Sequence, residues 1–146
     1  MMFFDLPPEP RTVAPSVPIA DLWRFFPLGY LFTIAIETPV LLVGLSRKVP
    51  FRQRLWLGVW LTACTYPIVI LVLPALLYQE NRGGYLFVAE TFAPLAECAL
   101  FWLAYRRNDE LTTSDWIRCL VTIVIANLAS FGAGEILNAY RWFGLF

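Results

Sequence analysis

The sequence contains no histidine and only three cysteines among its 146 residues. Histidine is the commonest metal ligand and the usual proton carrier near neutral pH, so its absence removes the ordinary basis for both roles. Cys64, Cys98 and Cys119 show no CxxC spacing. We interpret the cysteines as small apolar packing residues and expect neither a disulfide nor a cysteine metal site.

Enzyme motifs are also missing. Neither HExxH, nor GxSxG, nor a glycine-rich cofactor fingerprint occurs in the chain. Tyr66 or a cysteine could act as a nucleophile in principle, but no base is positioned beside it. An enzyme is therefore the least favoured class, and the sequence implies no cofactor.

Charge is scarce. Charged residues make up 15% of the chain and balance to a formal net charge of zero, so nothing favours nucleic acid as a partner. Apolar residues make up 59%, and the mean hydropathy is +0.63. A soluble helical protein would need polar faces to meet water, and the long apolar windows here have almost none. The lipid bilayer is therefore the expected partner.

Four apolar windows reach or approach the roughly 20 residues that a helix needs to cross the hydrocarbon core. They cover Phe25–Leu45, Leu55–Leu77, Tyr85–Tyr105 and Cys119–Leu137. Short connections between spans of this length make them antiparallel neighbours. We therefore predict an all-α polytopic membrane protein, with a bundle of four transmembrane helices over residues 23–146 that is built from two tandem hairpins.

Residues 1–22 contain five prolines, at positions 7, 8, 10, 15 and 18. This composition is typical of an extended, solvated tail, and a segment that docks on a partner is the alternative. The tail lacks a basic stretch followed by an apolar one, so we expect no cleavable signal peptide. The first span would then direct its own insertion.

Basic residues are concentrated in the first and third connections between spans. They are Arg47, Lys48, Arg52, Arg54, Arg106 and Arg107. The second connection holds only Arg82, which Glu80 balances. Because basic loops stay on the cytoplasmic side, we predict that both termini lie on the periplasmic or extracellular side.

Several polar side chains fall at similar depths in different spans. With a rise of about 1.5 Å per residue, Glu37 and Glu97 lie about two residues from the middle of their spans. Near the same level in spans two and four are Thr65, Tyr66 and Asn127. Glu90 and Glu135 lie nearer the outer face, and Glu90 shares a helix side with Glu97.

An ionised side chain at a helix centre costs about 2.5 to 3.5 kcal/mol, and the cores of the spans hold no base to pair with it. Protonation, a bound cation or a wet cavity would relieve that cost. A hydrogen-bonded cluster that only joins helices is the alternative, and we favour it for Glu135, close to Arg141. Otherwise we predict a cation- or proton-binding site, its metal left open, formed by Glu37, Glu97, Glu90, Asn127, Thr65 and Tyr66.

Span four carries small residues at helical spacing, which favours close approach of a neighbouring helix. These packing residues are Ala126, Ser130 and Gly134.

The two hairpins are similar to each other. In each, a mid-membrane glutamate precedes a basic pair by about ten residues, and the next span carries polar residues three apart. The polar pairs are Thr62 with Thr65 and Asn127 with Ser130. These spacings suggest a parallel repeat about an axis along the membrane normal, and chance similarity of two membrane hairpins is the alternative.

The same residues carry a resemblance. The chain resembles a family of small, largely uncharacterised bacterial membrane proteins with four spans. Its pattern is Glu in span one, Asn-x-x-Thr-His/Tyr-Pro in span two, glutamates in span three, and Asn-x-x-Ser with a later Gly in span four. The matching residues here are Glu37, "TACTYP" at 62–67, Glu90, Glu97, "NLAS" at 127–130 and Gly134.

The chain departs from that pattern at Thr62, where asparagine is expected, and has Tyr66 where histidine is an accepted alternative. The lack of this histidine weakens a proton-shuttle role. The resemblance implies a four-span fold in the bacterial inner membrane, and it implies no activity.

Two hypotheses remain. The first is a transport-related protein that handles a proton, metal ion or cationic solute, with a homo-oligomer forming the path at this size. The second is an accessory or assembly subunit of a larger membrane complex, whose acids meet basic or polar groups of a partner helix. The base-free acidic level favours the first, because such a level is costly to keep only to join helices.

Overall fold

All regular elements within the described residues, 19–78 and 82–140, are helical in the computed structural model. They are α1 (Ile19–Gly44), α2 (Phe51–Pro67), two π-helical segments (Ile68–Val72 and Pro74–Tyr78), α3 (Arg82–Tyr105) and α4 (Thr113–Ala139). The all-α prediction is confirmed. Helix α1 begins within the range assigned to the tail, and residues 1–18 of that tail lie outside the described residues.

Four helical stretches in the described part of the chain are long and apolar enough to cross a membrane. They cover Phe26–Gly44, Phe51–Leu76, Gly83–Tyr105 and Thr113–Ala139. Large apolar side chains cover the outside of these helices: Val43 is 79% exposed and Phe87 is 74% exposed. Such a surface is stable against lipid and unstable in water. The chain is therefore a multi-pass membrane protein.

Each helix packs against two neighbours. Helix α1 contacts α2 and α4, α3 contacts the same two helices, and α1 and α3 face each other diagonally with no direct packing between their described residues. We call the end with the α1–α2 and α3–α4 connections the basic end. The opposite end, where α3 begins and α4 finishes, is the far end.

The C-terminus of α1 is held by arginines from both neighbouring helices. Arg54 Nη1 on α2 donates to the Leu42 carbonyl at 2.8 Å, and Arg118 Nε on α4 donates to the Gly44 carbonyl at 2.7 Å. The last carbonyls of a helix have no partner within it, so these bonds cap α1. The two arginines therefore stabilise the C-terminus of α1 as well as adding positive charge to the basic end.

Asp115, in the first turn of α4, also holds the end of α1. Its carboxylate accepts from Ser46 Oγ at 2.6 Å and pairs with Lys48 Nζ at 2.8 Å. Asp115 also completes a capping box with Thr112, which satisfies the first free N–H groups of α4. The Asp115 carboxylate thus caps the N-terminus of α4 and also bonds α4 to the α1–α2 connection.

The apolar core fills the half of the bundle nearer the basic end. Leu41, Leu61, Phe101 and Ile123, one from each helix, are at most 1% exposed. They lie between the mid-membrane polar residues and the basic end, and the ring of Phe101 also packs edge-on against Trp116. These four side chains therefore form an apolar layer between the polar residues and the basic end.

Two glycines lie at close contacts between helices. A Cβ atom at Gly58 would lie 2.5 Å from Thr38 Oγ1, and one at Gly44 would collide with the side chain of Thr122. Helix α1 therefore approaches α2 at Gly58 and α4 at Gly44. At Gly134 a Cβ would meet nothing within 4 Å, so the predicted close approach is not found there.

The far-end half of the second span is not α-helical. Pro67 ends α2 and the two π-helical segments follow it. Proline has no N–H to donate, which disturbs the hydrogen-bond pattern of the turn before it. Single π turns recur at functional sites. Val69 and Ile70 of the first segment line the cavity described next.

Candidate functional site

Glu37 is buried in the middle of the bundle, with only 2% of its surface exposed. Both carboxylate oxygens are hydrogen-bonded to side chains from other helices. Thr62 Oγ1 on α2 donates to Oε2 at 2.7 Å, and Ser130 Oγ on α4 donates to Oε1 at 2.7 Å. Glu37 therefore faces the inside of the bundle and not the lipid.

Glu97, on the diagonal helix α3, is equally buried at 2% exposed. Its partners come from the same two helices. Thr65 Oγ1 on α2 donates to Oε1 at 2.8 Å, and Asn127 Nδ2 on α4 donates to Oε2 at 2.7 Å. Helices α2 and α4 thus join the two carboxylates into one cluster.

The four bonds of this cluster follow a pseudo-twofold pattern. In each hairpin, the first residue of the polar pair on the second helix, Thr62 or Asn127, donates to the glutamate of its own hairpin. The residue three positions later, Thr65 or Ser130, donates to the glutamate of the other hairpin. This exchange of partners is the pattern expected if the hairpins are a parallel repeat.

The hydroxyl groups of the cluster each have a second acceptor. Thr62 Oγ1 lies 2.9 Å from the Gly58 carbonyl, and Ser130 Oγ lies 2.9 Å from the Asn127 carbonyl. A hydroxyl has one hydrogen, so it donates either to the acid or to the backbone, and in the second case its oxygen can accept from a protonated carboxyl. The cluster can therefore satisfy both the charged and the neutral form of each acid.

A cavity of about 380 Å³ runs from this cluster toward the far end of the bundle. Glu37 and Glu97 lie at its base, and Tyr85 and Asn138 lie at its mouth. Asn138 is exposed. The apolar core around Leu41 and Phe101 separates the base of this cavity from the basic end.

Two more carboxylates line the cavity nearer its mouth. Glu90 on α3 and Glu135 on α4 both line it. None of the described residues that line the cavity is Lys or Arg. Four carboxyl groups therefore line one cavity.

Tyr66 contributes a polar atom without a partner. The residue is 7% exposed and lines the cavity, and its hydroxyl has no hydrogen-bond partner in the described structure. Its ring is fixed by Phe26 and Tyr30, whose centroids lie 5.3 and 5.6 Å away. The hydroxyl oxygen is itself buried, and a buried hydroxyl left unpaired costs about 1 to 3 kcal/mol.

All six residues predicted for the binding site line this one cavity: Glu37, Glu97, Glu90, Asn127, Thr65 and Tyr66. Their role in binding stays a prediction. Glu135, which was expected to have a structural role beside Arg141, also lines the cavity, and because Arg141 lies outside the described residues that role stays a prediction. Ser130 was expected to pack against a neighbouring helix, and its hydroxyl bonds Glu37.

The cluster does not have the composition of a metal centre. Within the described residues, no group of three or more His, Cys, Asp or Glu is placed to hold a metal ion. The bonded neighbours of Glu37 and Glu97 present hydrogens to the carboxylates, whereas a metal ion needs oxygen, nitrogen or sulfur lone pairs around it. The arrangement suits a cation that itself donates hydrogen bonds, or a proton.

Comparison with known proteins finds no matching family model, no matching curated protein and no matching solved structure. The resemblance to the family of bacterial four-span proteins therefore stays a prediction from the sequence. The function has to be argued from the cavity itself.

Proposed function

We propose that this protein binds a cation at Glu37 and Glu97 and takes part in its transport across the bacterial inner membrane. The observation that carries the proposal is the pair of buried carboxyl groups, Glu37 and Glu97, in a cavity that has no base among its described lining residues. Burial of a carboxylate is unfavourable unless a positive charge or hydrogen bonds compensate it. Hydrogen bonds compensate the two acids in part, and a bound cation would add the positive charge that none of the described lining residues supplies.

The hydrogen bonds alone leave acceptor capacity on both acids. Each carboxylate has about four lone-pair positions, and the side chains of α2 and α4 occupy two on Glu37 and two on Glu97. The remaining positions can accept N–H groups from a ligand in the cavity. Because the hydroxyls have alternative backbone acceptors, the same cluster can take up protons when the ligand leaves.

The half-open cavity supports transport over simple storage. The base of the cavity lies mid-membrane, and the core around Leu41 and Phe101 closes the path beyond it. A ligand site near the midplane with access from one side is typical of transporters that alternate between two open states. Under the positive-inside rule the far end faces the periplasm, so this state is open outward.

The buried acids do not support the alternative of an accessory subunit. That hypothesis requires Glu37 or Glu97 to meet groups of a partner helix, and each is only 2% exposed with its oxygens bonded inside the bundle. A homo-oligomer remains compatible with the proposal, because the apolar outer surface is free to pack against a second copy.

Uptake into liposomes tests the proposal. Reconstituted protein is assayed for uptake of labelled Na⁺, methylammonium and 1,4-diaminobutane. Each assay is run with and without a pH difference across the liposome membrane. We expect uptake by the parent protein and a loss of at least about tenfold in Glu97→Gln, since a tenfold loss corresponds to about 1.4 kcal/mol. Glu110→Gln, an exposed acid in the α3–α4 connection, is the matched control and should equal the parent. Equal uptake by parent, Glu97→Gln and protein-free liposomes would end the proposal.

A further inference from the structure

A second cavity, of about 900 Å³, opens at the basic end of the bundle between α2 and α3. We call it the basic-end groove. Residues of the α1–α2 and α3–α4 connections form its rim, and Trp60 is its deepest lining residue on α2. Because Trp60 follows Pro50 by ten residues, the groove reaches about 15 Å from the rim into the span. It therefore crosses the level at which the headgroups of a bilayer meet the acyl chains.

The rim of the groove carries charges of both signs. Lys48 and Arg107 are basic, and Asp109 and Glu110 are acidic. Arg107 and Asp109 are exposed and lie two residues apart in sequence, yet in the described structure they form no ion pair with each other. An anion with no positive charge is repelled by the two acids, and a simple cation is repelled by the two bases. The rim therefore matches a zwitterion, in which each charge meets its opposite.

The rim also offers hydrogen-bond donors for a phosphate group. Lys48 Nζ has three hydrogens and uses two of them, on a carbonyl of the α3–α4 connection and on a carboxylate of α4. The Gln53 side chain accepts from the Tyr105 hydroxyl at 2.7 Å through its Oε1 atom, which leaves the two N–H groups of its amide as donors. Together with the guanidinium group of Arg107, these donors suit the oxygens of a phosphate.

Below the rim the lining of the groove is apolar and aromatic. It consists of Trp56, Leu57 and Trp60 from α2 and Ala104 from α3. Trp56 is 65% exposed, so this wall is open toward the lipid. Methylene groups gain from contact with such a wall, and tryptophan is enriched at this depth of a membrane. The groove thus presents a charged rim and an apolar wall in the order in which a phospholipid presents its headgroup and acyl chains.

We propose that the basic-end groove binds a phospholipid whose headgroup carries a primary ammonium group, of the phosphatidylethanolamine type. Arg107, Lys48 and Gln53 bind the phosphate. The ammonium group donates to the Asp109 carboxylate, and an acyl chain lies along the tryptophans of α2. The groove and the cation cavity share no lining residue, so this site is independent of the proposed function.

The mixed charges of the rim distinguish this headgroup from two related ones. Phosphatidylglycerol carries the same phosphate but no positive charge, so it leaves Asp109 beside a negative ligand. Phosphatidylcholine carries both charges, but its ammonium group is fully methylated and has no N–H to donate. Charge-assisted hydrogen bonds are about twice as strong as neutral ones, so the loss of this donor weakens binding.

Native mass spectrometry of the detergent-purified protein tests the proposal. The parent protein is mixed with the dioleoyl forms of the three lipids at equal concentrations, and the bound copies of each are compared. We expect about fivefold more phosphatidylethanolamine than either competitor, because it alone satisfies both charges of the rim. In Asp109→Asn its binding should fall to the level of phosphatidylcholine, whereas phosphatidylglycerol binding should rise. Arg107→Gln should reduce phosphatidylethanolamine binding about fivefold. Arg47→Gln is the matched control, since Arg47 is exposed at the same end but does not line the groove, and it should equal the parent.

Three results would overturn the proposal. If the parent binds phosphatidylglycerol best, the groove is a site for anionic lipids. If the parent binds all three lipids equally, or Asp109→Asn keeps the preference of the parent, the ammonium group is not recognised. If Arg47→Gln loses as much lipid as Arg107→Gln does, binding depends on the total charge of the basic end and not on the groove. The three substituted side chains are exposed, and thermal unfolding in detergent establishes that each variant is folded.

Discussion

Thr62 and Thr65 lie three residues apart on α2 but bind different carboxylates: Thr62 bonds Glu37 at 2.7 Å and Thr65 bonds Glu97 at 2.8 Å. One turn of a single helix therefore links the acids of two helices that do not pack against each other. On the opposite side of the bundle, α4 makes the same link. The placement of the Glu37 and Glu97 carboxylates therefore depends on how α2 and α4 are rotated about their own axes, as well as on the positions of α1 and α3.

Double-mutant cycles should reveal this crossed pairing. We expect Thr65→Val and Glu97→Gln to couple by about 0.6 to 1.7 kcal/mol in stability, as measured for side-chain hydrogen bonds within membranes. The control cycle, Thr62→Val with Glu97→Gln, should show less than half of that coupling, because Thr62 bonds Glu37 instead. The measurement is reversible unfolding in mixed micelles. A larger coupling in the control cycle would contradict the pattern of bonds.

The contact at Gly58 should limit side-chain size. In Gly58→Ala the new methyl group would lie 2.5 Å from Thr38 Oγ1 and 3.0 Å from the Thr38 Cα atom, so α1 and α2 must separate. We expect a loss of about 1 to 3 kcal/mol in the free energy of unfolding. Gly132→Ala is the control, since nothing lies within 4 Å of its Cβ position, and it should match or exceed the parent in stability. The same unfolding assay compares the two, and equal stability would refute the close contact.

Asp115 should matter more to stability than its partner Lys48. Asp115→Ala removes a capping-box carboxylate and leaves Ser46 Oγ without its acceptor, so we expect a loss of about 1 to 2 kcal/mol. Lys48→Ala breaks a pair in which the lysine is 41% exposed, and such pairs contribute less than about 1 kcal/mol. Thermal unfolding in detergent measures both. A larger effect for Lys48→Ala would show that the ion pair, and not the helix cap, holds this end.

Membrane orientation can be tested by labelling single cysteines. In a chain with Cys64, Cys98 and Cys119 replaced by alanine, we expect Gly83→Cys at the far end to react with an impermeant maleimide in intact cells. Asp109→Cys, in the basic α3–α4 connection, should react only after permeabilisation. The opposite pattern would place the basic end outside and reverse the access side of the cavity.

The depth of the polar residues could be predicted from sequence because helix rise is regular. Counting along each span placed Glu37, Glu97, Thr65 and Asn127 at one level. The structure bonds Thr65 and Asn127 to Glu97, and it bonds Glu37 to Thr62 and Ser130 on the same two helices. The spacing of the glutamate, the basic pair and the polar pair in each half of the chain likewise predicted two similar hairpins. The fold was predictable for the same reason, since long apolar windows leave the backbone no other way to satisfy its hydrogen bonds in lipid.

Rotation about each helix axis was not predictable in the same way. In a membrane helix the faces toward lipid and toward protein are both apolar, so hydropathy does not distinguish them. Small residues on α4 therefore suggested a packing face at Gly134, whereas that glycine lines the cavity and the close contacts occur at Gly44 and Gly58. Glu135 also lines the cavity, which its position near the outer boundary of span four did not indicate.

Infrared difference spectroscopy of the carboxyl groups tests most directly whether Glu37 and Glu97 bind a cation. Protein with isotope-labelled glutamate is compared before and after addition of 1,4-diaminobutane or methylammonium. We predict cation-dependent changes in the carboxyl bands of the parent and of Asp115→Asn, whose acid lies outside the cavity, and their loss in Glu37→Gln/Glu97→Gln. Carboxyl bands of the parent that do not change with any cation would contradict the account. Equal changes in the parent and in the double variant would also contradict it.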